Sequence, residues 1–111
     1  MAGTAAGYTN YGTSALVVPG DGKWHFVAVS VSRTSAAGIR FTLDDKPEEV
    51  LNPLGRPGSL ANPSALRIGM ATIGQTSGFV GAIDELEFFQ RAVTSAEWQK
   101  IYAAKCYGKC R

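Results

Sequence analysis

The arrangement of apolar residues in short runs, separated by turn-forming segments, constrains this chain more than any other feature. Residues 39–43 alternate strictly between apolar and polar side chains. We therefore expect Ile39, Phe41 and Leu43 to face the core and the residues between them to face outward. Residues 24–31 are apolar on both faces, which is typical of a central strand covered on both sides, with Trp24 in the core. Further strands are predicted at residues 14–18, 48–51, 65–70 and 79–89.

Segments of turn-forming residues separate these apolar runs. Residues 19–22 read Pro-Gly-Asp-Gly, residues 44–46 read Asp-Asp-Lys, and prolines and glycines fill residues 52–63. Within residues 79–89 the apolar residues shift from odd-numbered to even-numbered positions, which indicates either a strand buried on both sides or a bulge near Asp84 and Glu85. Five or six strands without any βαβ alternation predict an all-β fold, an antiparallel β-sandwich.

One helix is predicted after the strands, from residue 95 to about residue 104. Thr94 and Glu97 form a T-x-x-E capping box. Trp98, Ile101 and Tyr102 then give an apolar stripe at helical spacing. Such a stripe favours a helix that packs onto the sandwich.

The chain divides at the first strong turn. Residues 1–20, which begin with small and polar residues, form an N-terminal arm or edge strand, and residues 21–111 form the domain. A net charge of +2 with scattered Lys and Arg does not favour nucleic acid as a partner. No run approaches the ~18 apolar residues of a membrane span. We find no signal peptide in the sequence, which leaves localisation open.

Several segments carry a family signature in a fixed order. They are Asp-Gly-Lys-Trp-His-Phe-Val-Ala at 21–28, Phe-Thr-Leu-Asp-Asp at 41–45, Leu-Arg-Ile-Gly at 66–69, Gly-Ala-Ile-Asp-Glu-Leu at 81–86 with Arg-Ala-Val-Thr-Ser-Ala-Glu at 91–97, and the ending at 101–110. Together they resemble the C-terminal portion of bacterial laminin G-like, concanavalin A-type jelly rolls. Asp45 stands where that hairpin usually has Gly, so a turn that favours positive φ must accept aspartate.

The resemblance implies a jelly roll whose N-terminal strands have no counterpart here, because a jelly roll has about eight strands. It also implies a secreted or cell-surface binding or adhesion module, with carbohydrate or protein as its ligand. A sandwich that lacks strands exposes edges and an apolar face. We therefore expect a homo-oligomer, in particular a dimer, completed by residues 1–18 or by a sheet edge. A structural assembly role is the alternative function.

The resemblance also suggests binding residues. In related jelly rolls an aspartate at the position of Asp84 often helps to hold a structural calcium ion; otherwise Asp84 caps a bulge or bonds backbone amides. No other cofactor is expected. Tyr8 and Tyr11, in the glycine-rich arm, are candidates for stacking on a sugar ring. His25 is expected to pack or to form hydrogen bonds, since no partner for catalysis or metal binding is identifiable.

An enzymatic function is the least favoured hypothesis. Glycoside hydrolases of this fold use an E-x-D-x-E strand, and Glu85 and Glu87 would share a face of a strand here. The surrounding residues lack the expected motif, so we expect solvated acids and no catalytic residues. Cys106 and Cys110 form either a local or intermolecular disulfide or remain free thiols.

Overall fold

The computed structural model describes residues 2–4, 7–70 and 78–109. Five short strands and one helix make up its regular structure. In chain order they are β1 (Ala2–Thr4), β2 (Gly7–Thr9), β3 (Val27–Val31), β4 (Ile39–Leu43), β5 (Glu49–Leu51) and α1 (Ser95–Lys109).

The strands form two antiparallel sheets. The first is the β1–β2 pair, and the second has the order β3-β4-β5. In the second sheet Val29 lies opposite Phe41, and Phe41 also lies opposite Glu49. All pairing is antiparallel and the only described helix follows the strands, which confirms the all-β fold class with one C-terminal helix. That helix is not long and apolar enough to cross a membrane.

Strand β4 has the predicted bounds, whereas β3 is shorter than predicted. The expected strand at residues 24–31 begins only at Val27. The expectation that it is central is wrong, because among the described residues β3 pairs with β4 alone and lies at the sheet edge. One of its faces is also uncovered, since Val27, Val29 and Val31 are exposed. Burial on both faces of a strand requires neighbours that the described part of the chain does not supply.

Two tight connections fix the register of this sheet. Between β4 and β5, the Lys46 N–H donates to the Leu43 carbonyl (3.0 Å), which closes a turn. The residue with positive φ in this turn is Asp44 (φ 52°) and not Asp45, so the expectation for Asp45 was placed one residue late. Between β3 and β4, a Cβ on Gly38 would lie 1.9 Å from the Ser32 carbonyl oxygen, so only glycine fits there.

The core is small and joins the sheet to the helix. Its buried apolar side chains are Ile39 and Leu43 from β4, Pro53, Val93 and Trp98. Phe41 is only half-buried, and Thr42 is buried although the alternation predicted an outward position. The outer side of β4 is covered locally, because the Arg40 guanidinium contacts Glu48 (3.1 Å) and Ser95 at the start of α1 (3.3 Å).

Helix α1 begins at the predicted capping box. The Glu97 carboxylate accepts a hydrogen bond from the Thr94 N–H (2.8 Å), and the Thr94 hydroxyl accepts one from the Glu97 N–H (3.4 Å). Arg91 pairs with Glu97 at 2.6 Å, and this contact together with the Thr94 bonds lowers the pKa of Glu97 to about 2. The helix continues to Lys109, beyond the predicted end. Trp98 packs against Phe26, with ring centroids 6.2 Å apart.

Three predicted strands are not formed. Residues 14–18, 65–70 and 79–89 have no ladder, and residues 65–70 contribute only an isolated bridge between Met70 and Gly78. The first of these segments is held by a side chain, since Glu49 accepts the backbone N–H groups of Ser14 (2.9 Å) and Ala15 (3.0 Å). A β-strand needs a partner strand for its hydrogen bonds, so a β-like pattern alone does not produce one.

Candidate functional site

The best-defined polar arrangement in the molecule surrounds His25. Its Nδ1 lies 2.8 Å from Asp44 Oδ2, and its Nε2 lies 2.9 Å from Asp21 Oδ1. Ionised carboxylates only accept hydrogen bonds, so an imidazole bonded to two of them donates from both nitrogens and carries a positive charge. The hydrogen bond to Asp44, followed by that to Asp21, raises the pKa of His25. We call these three residues the His25 cluster.

Local backbone geometry positions both carboxylates. Asp21 Oδ1 also accepts the Lys23 N–H (3.0 Å) in a turn that contains Gly22 at φ 73°. Asp44 Oδ1 accepts the Phe26 N–H (2.9 Å), and the Asp44 N–H donates to the Phe26 carbonyl (2.9 Å). The hydrogen bond from His25 lowers the pKa of Asp21. Burial opposes ionisation of Asp44, but the His25 and Phe26 hydrogen bonds outweigh it and lower its pKa.

The sequence predicted a packing or hydrogen-bonding role for His25 but not its partners. A usable signal was present. The pairing of Val27 with Leu43 places Asp44 directly opposite Phe26, one residue from His25. Asp21 precedes His25 by four residues within the turn. Register reasoning carried one pair beyond the strand end would therefore have identified Asp44, and the four-residue spacing within the turn would have identified Asp21.

Trp24 lies on the surface beside the His25 cluster. The expectation that it belongs to the core is wrong, because Trp24 is 71% exposed. Alternation of faces applies only within a strand, and Trp24 precedes the first residue of β3. Its neighbours Lys23 and His25 are both held by Asp21, so the indole is presented from a constrained loop.

A groove of about 1320 Å³ adjoins Trp24. Strand β3, residues 79–93 and helix α1 form its walls. Exposed apolar side chains dominate the lining, and they include Val29, Leu86 and Phe88. Charged side chains lie among them: Lys23, Asp44, Asp84, Glu85, Glu87 and Arg91. The groove therefore offers both apolar contact and hydrogen-bonding groups on an open surface.

Asp84 bonds a backbone amide in this groove. Its Oδ1 accepts the Glu85 N–H at 2.8 Å, next to the positive φ of Glu85 (52°). This contact agrees with the alternative that Asp84 bonds backbone amides. Among the described residues no three His, Cys, Asp or Glu side chains come together as a group that could hold a metal ion. Calcium binding at Asp84 stays a prediction.

Glu85 and Glu87 both line the groove but do not form the expected pair on a strand. Residues 79–89 are not in a strand, so alternation does not place the two carboxylates on one face. Glu85 also adopts the left-handed backbone region, which breaks the alternation between them. The strand geometry that would make them a retaining glycosidase pair is absent from this segment.

The remaining candidates lie away from the groove or outside the described residues. Tyr11 is half-buried and is not among the residues that line the groove. The side chain of Tyr8 lies outside the described part of the structure. The backbone of Cys106 is helical, but the Cys106 side chain and the whole of Cys110 also lie outside it, so the disulfide stays a prediction.

Comparison with known proteins gives one match. A laminin G family model, described as the concanavalin A-like lectin/glucanases superfamily, matches residues 1–98. The match includes the N-terminal arm and most of the predicted domain, so it sets no boundary between them. No curated protein and no solved structure matches. The matched family supports a carbohydrate- or protein-binding module.

Proposed function

Because the chain belongs to the laminin G-like group of the concanavalin A-like lectin/glucanases superfamily, we propose that it is a non-catalytic module that binds carbohydrate in the groove beside Trp24. One observation carries this proposal: a tryptophan that is 71% exposed lines a groove that also contains several charged side chains. Sugar rings have apolar C–H faces and polar edges, so an aromatic ring next to hydrogen-bonding groups suits them.

The His25 cluster supports binding by fixing the loop that carries Trp24. The residue before the indole donates its N–H to Asp21, and the residue after it bonds to both Asp21 and Asp44. A loop held in this way loses little conformational freedom when a ligand binds, which favours affinity. The cluster therefore positions Trp24, and two of its members, His25 and Asp44, also line the groove.

The charged lining supplies hydrogen-bonding partners for sugar hydroxyls. Carboxylates accept hydrogen bonds and the Lys23 ammonium donates them. Because Glu85 and Glu87 do not form a strand-borne pair, the lining favours binding without hydrolysis.

Binding of the intact chain to a glycan array, followed by calorimetry with the strongest oligosaccharide, tests the proposal. We expect Trp24→Ala to weaken binding at least tenfold and Trp24→Phe to weaken it less, because phenylalanine keeps a stacking face. Val50→Ala is the matched control, since Val50 is also exposed but lies on β5 outside the groove. Equal melting temperatures of the variants would show that the fold is retained.

Two further experiments distinguish the alternative functions. Tyr11→Ala tests the arm as a sugar site, and we expect unchanged affinity because Tyr11 lies outside the groove. Release of reducing ends from the bound glycan, compared between the native chain and Glu85→Gln, tests for hydrolysis, and we expect none from either. Full affinity in Trp24→Ala, or hydrolysis that Glu85→Gln removes, would contradict the proposal.

A further inference from the structure

Strand β3 has one edge without a partner among the described residues. Its other edge pairs with β4 along all five residues, from Val27 opposite Leu43 to Val31 opposite Ile39. The sheet ends there, with the order β3-β4-β5. An edge strand presents a row of main-chain donors and acceptors that favours pairing with another strand.

The hydrogen bonds that flank β3 show which of its main-chain groups face this edge. The Asp44 N–H donates to the Phe26 carbonyl (2.9 Å), and the Ser32 N–H donates to the Gly38 carbonyl (2.7 Å). In an antiparallel ladder, every second facing pair exchanges hydrogen bonds. The bonded residues of β3 are thus Ala28 and Ser30, at even positions like Phe26 and Ser32.

The N–H and C=O groups of the odd-numbered residues therefore point to the free edge. These residues are Val27, Val29 and Val31, and their side chains share one face and are 59%, 53% and 49% exposed. The strand sequence is Val-Ala-Val-Ser-Val, without charge or proline. It lacks the lysine or proline residues that commonly protect an edge strand from pairing. The outward main-chain groups and the exposed apolar side chains thus belong to the same three residues.

We propose that β3 pairs antiparallel with β3 of a second copy of this chain, about a two-fold axis at Val29. Val29 then lies opposite Val29 of the second copy, and Val27 lies opposite Val31 of the second copy. The three valine pairs join residues whose main-chain groups point outward, so each of them exchanges two hydrogen bonds, and the two Ala28–Ser30 pairs between them exchange none. The two three-stranded sheets become one continuous antiparallel sheet.

The strand favours a second copy over an unrelated partner because it is self-complementary. A two-fold contact uses the same patch on both subunits. Valines occupy the central position and both ends of β3, so the axis brings valine against valine at the three facing pairs that exchange hydrogen bonds. No charged side chain lies on the strand, and the axis therefore creates no like-charge pair within it. An extended segment of another protein gains the hydrogen bonds without this match.

The contact area sets the expected strength. A five-residue strand spans roughly 16 Å, which by itself buries less than the ~1,000 Å² of a stable specific interface. We therefore expect a reversible dimer whose population changes with protein concentration.

Sedimentation equilibrium of the intact chain across the micromolar range tests the pairing. We expect the mass to rise from 11.7 kDa towards twice that value as concentration increases. Val29→Lys and Val29→Glu each place two like charges at the axis, so each variant alone should remain a monomer. Mixing the two variants should restore the dimer, because the charges at the axis are then opposite.

Val50→Glu is the matched control, since it places the same charge on β5, at the opposite edge of the sheet, and should dimerise like the native chain. Circular dichroism confirms that each variant is folded. A native chain that stays monomeric, or a dimer unaffected in Val29→Lys but lost in Val50→Glu, would overturn the proposal. Failure of the Val29→Lys and Val29→Glu mixture to associate would also overturn it. The measurement uses no sugar, so its outcome is independent of the proposed ligand.

Discussion

Trp98 anchors helix α1 to the rest of the molecule, and its replacement should have the largest effect on stability. The side chain is 7% exposed. Its ring lies between two aromatic neighbours, with centroids 6.2 Å from Phe26 and 5.7 Å from Phe89. The contact with Phe89 is edge-to-face, which is a favourable arrangement for aromatic rings. Trp98→Ala removes both contacts and leaves a cavity.

The expected cost follows from this burial. Truncation of a buried tryptophan to alanine destabilises a protein by about 3–5 kcal/mol. A domain of this length has a free energy of unfolding of roughly 6–17 kcal/mol. Trp98→Ala therefore removes a substantial fraction of the total, and it should lower the melting temperature by roughly 10 °C or more.

Trp98→Phe is the matched control. The Nε1 of Trp98 is buried without a hydrogen-bond partner among the described residues. Phenylalanine keeps an aromatic ring and removes that unsatisfied donor, which offsets part of the lost packing. We expect Trp98→Phe to cost less than about 1.5 kcal/mol, well below the cost of Trp98→Ala.

Urea unfolding, followed by circular dichroism and tryptophan fluorescence, measures both variants. The chain has two tryptophans, so Trp24→Phe leaves Trp98 as the only reporter. Its emission should be blue-shifted in the folded state and should move to the red on unfolding. The reasoning would be refuted by a Trp98→Ala variant within about 0.5 kcal/mol of the native chain, the usual range of a surface substitution, together with solvent-like emission in Trp24→Phe.

Two other measurements test the polar contacts. The stability advantage of the native chain over His25→Gln should be largest between pH 3.8 and pH 6.5, the unperturbed pKa values of aspartate and histidine. The pKa of His25 is raised, so its contribution to stability is complete below pH 6.5 and is lost as the pH rises through the folded-state pKa. The pKa values of Asp21 and Asp44 are lowered, so their contributions are present above pH 3.8 and are lost as the pH falls through the folded-state values. Parallel pH profiles of the melting temperature for the native chain and His25→Gln would contradict the cluster. For Asp84, calcium should raise the melting temperature of the native chain but not of Asp84→Ala if the ion binds there, and equal melting in calcium and in excess chelator would leave Asp84 only its backbone hydrogen bond.

Features governed by neighbouring residues were predictable. The capping box formed by Thr94 and Glu97 starts α1 where expected, since both partners lie within one helical turn. Strand β4 has the predicted bounds because strict alternation and two flanking turns define it. The positive φ of the following turn was misplaced by one residue, at Asp45 instead of Asp44. Both residues are aspartates, so residue type did not distinguish them.

Features that need a distant partner were not predictable in the same way. Residues 65–70 and 79–89 have strand-like sequences, but the described part of the chain gives them no ladder. Trp24 is a large apolar residue next to an apolar run and was therefore expected in the core. However, β3 starts after it and the indole is exposed. Register reasoning would have placed Asp44 beside His25, but the position of the groove required the packing of α1 against Phe26.

The sequence by itself determined strand β4, the start of the terminal helix with its cap, and the family, because these depend on local pattern and on motifs in a fixed order. The tertiary structure alone decided which strand lies at the edge of the sheet, that Trp24 faces solvent and that His25 joins two carboxylates. Each of these depends on contacts between residues far apart in the chain, and such contacts exist only once the sheet has a register and the helix has docked.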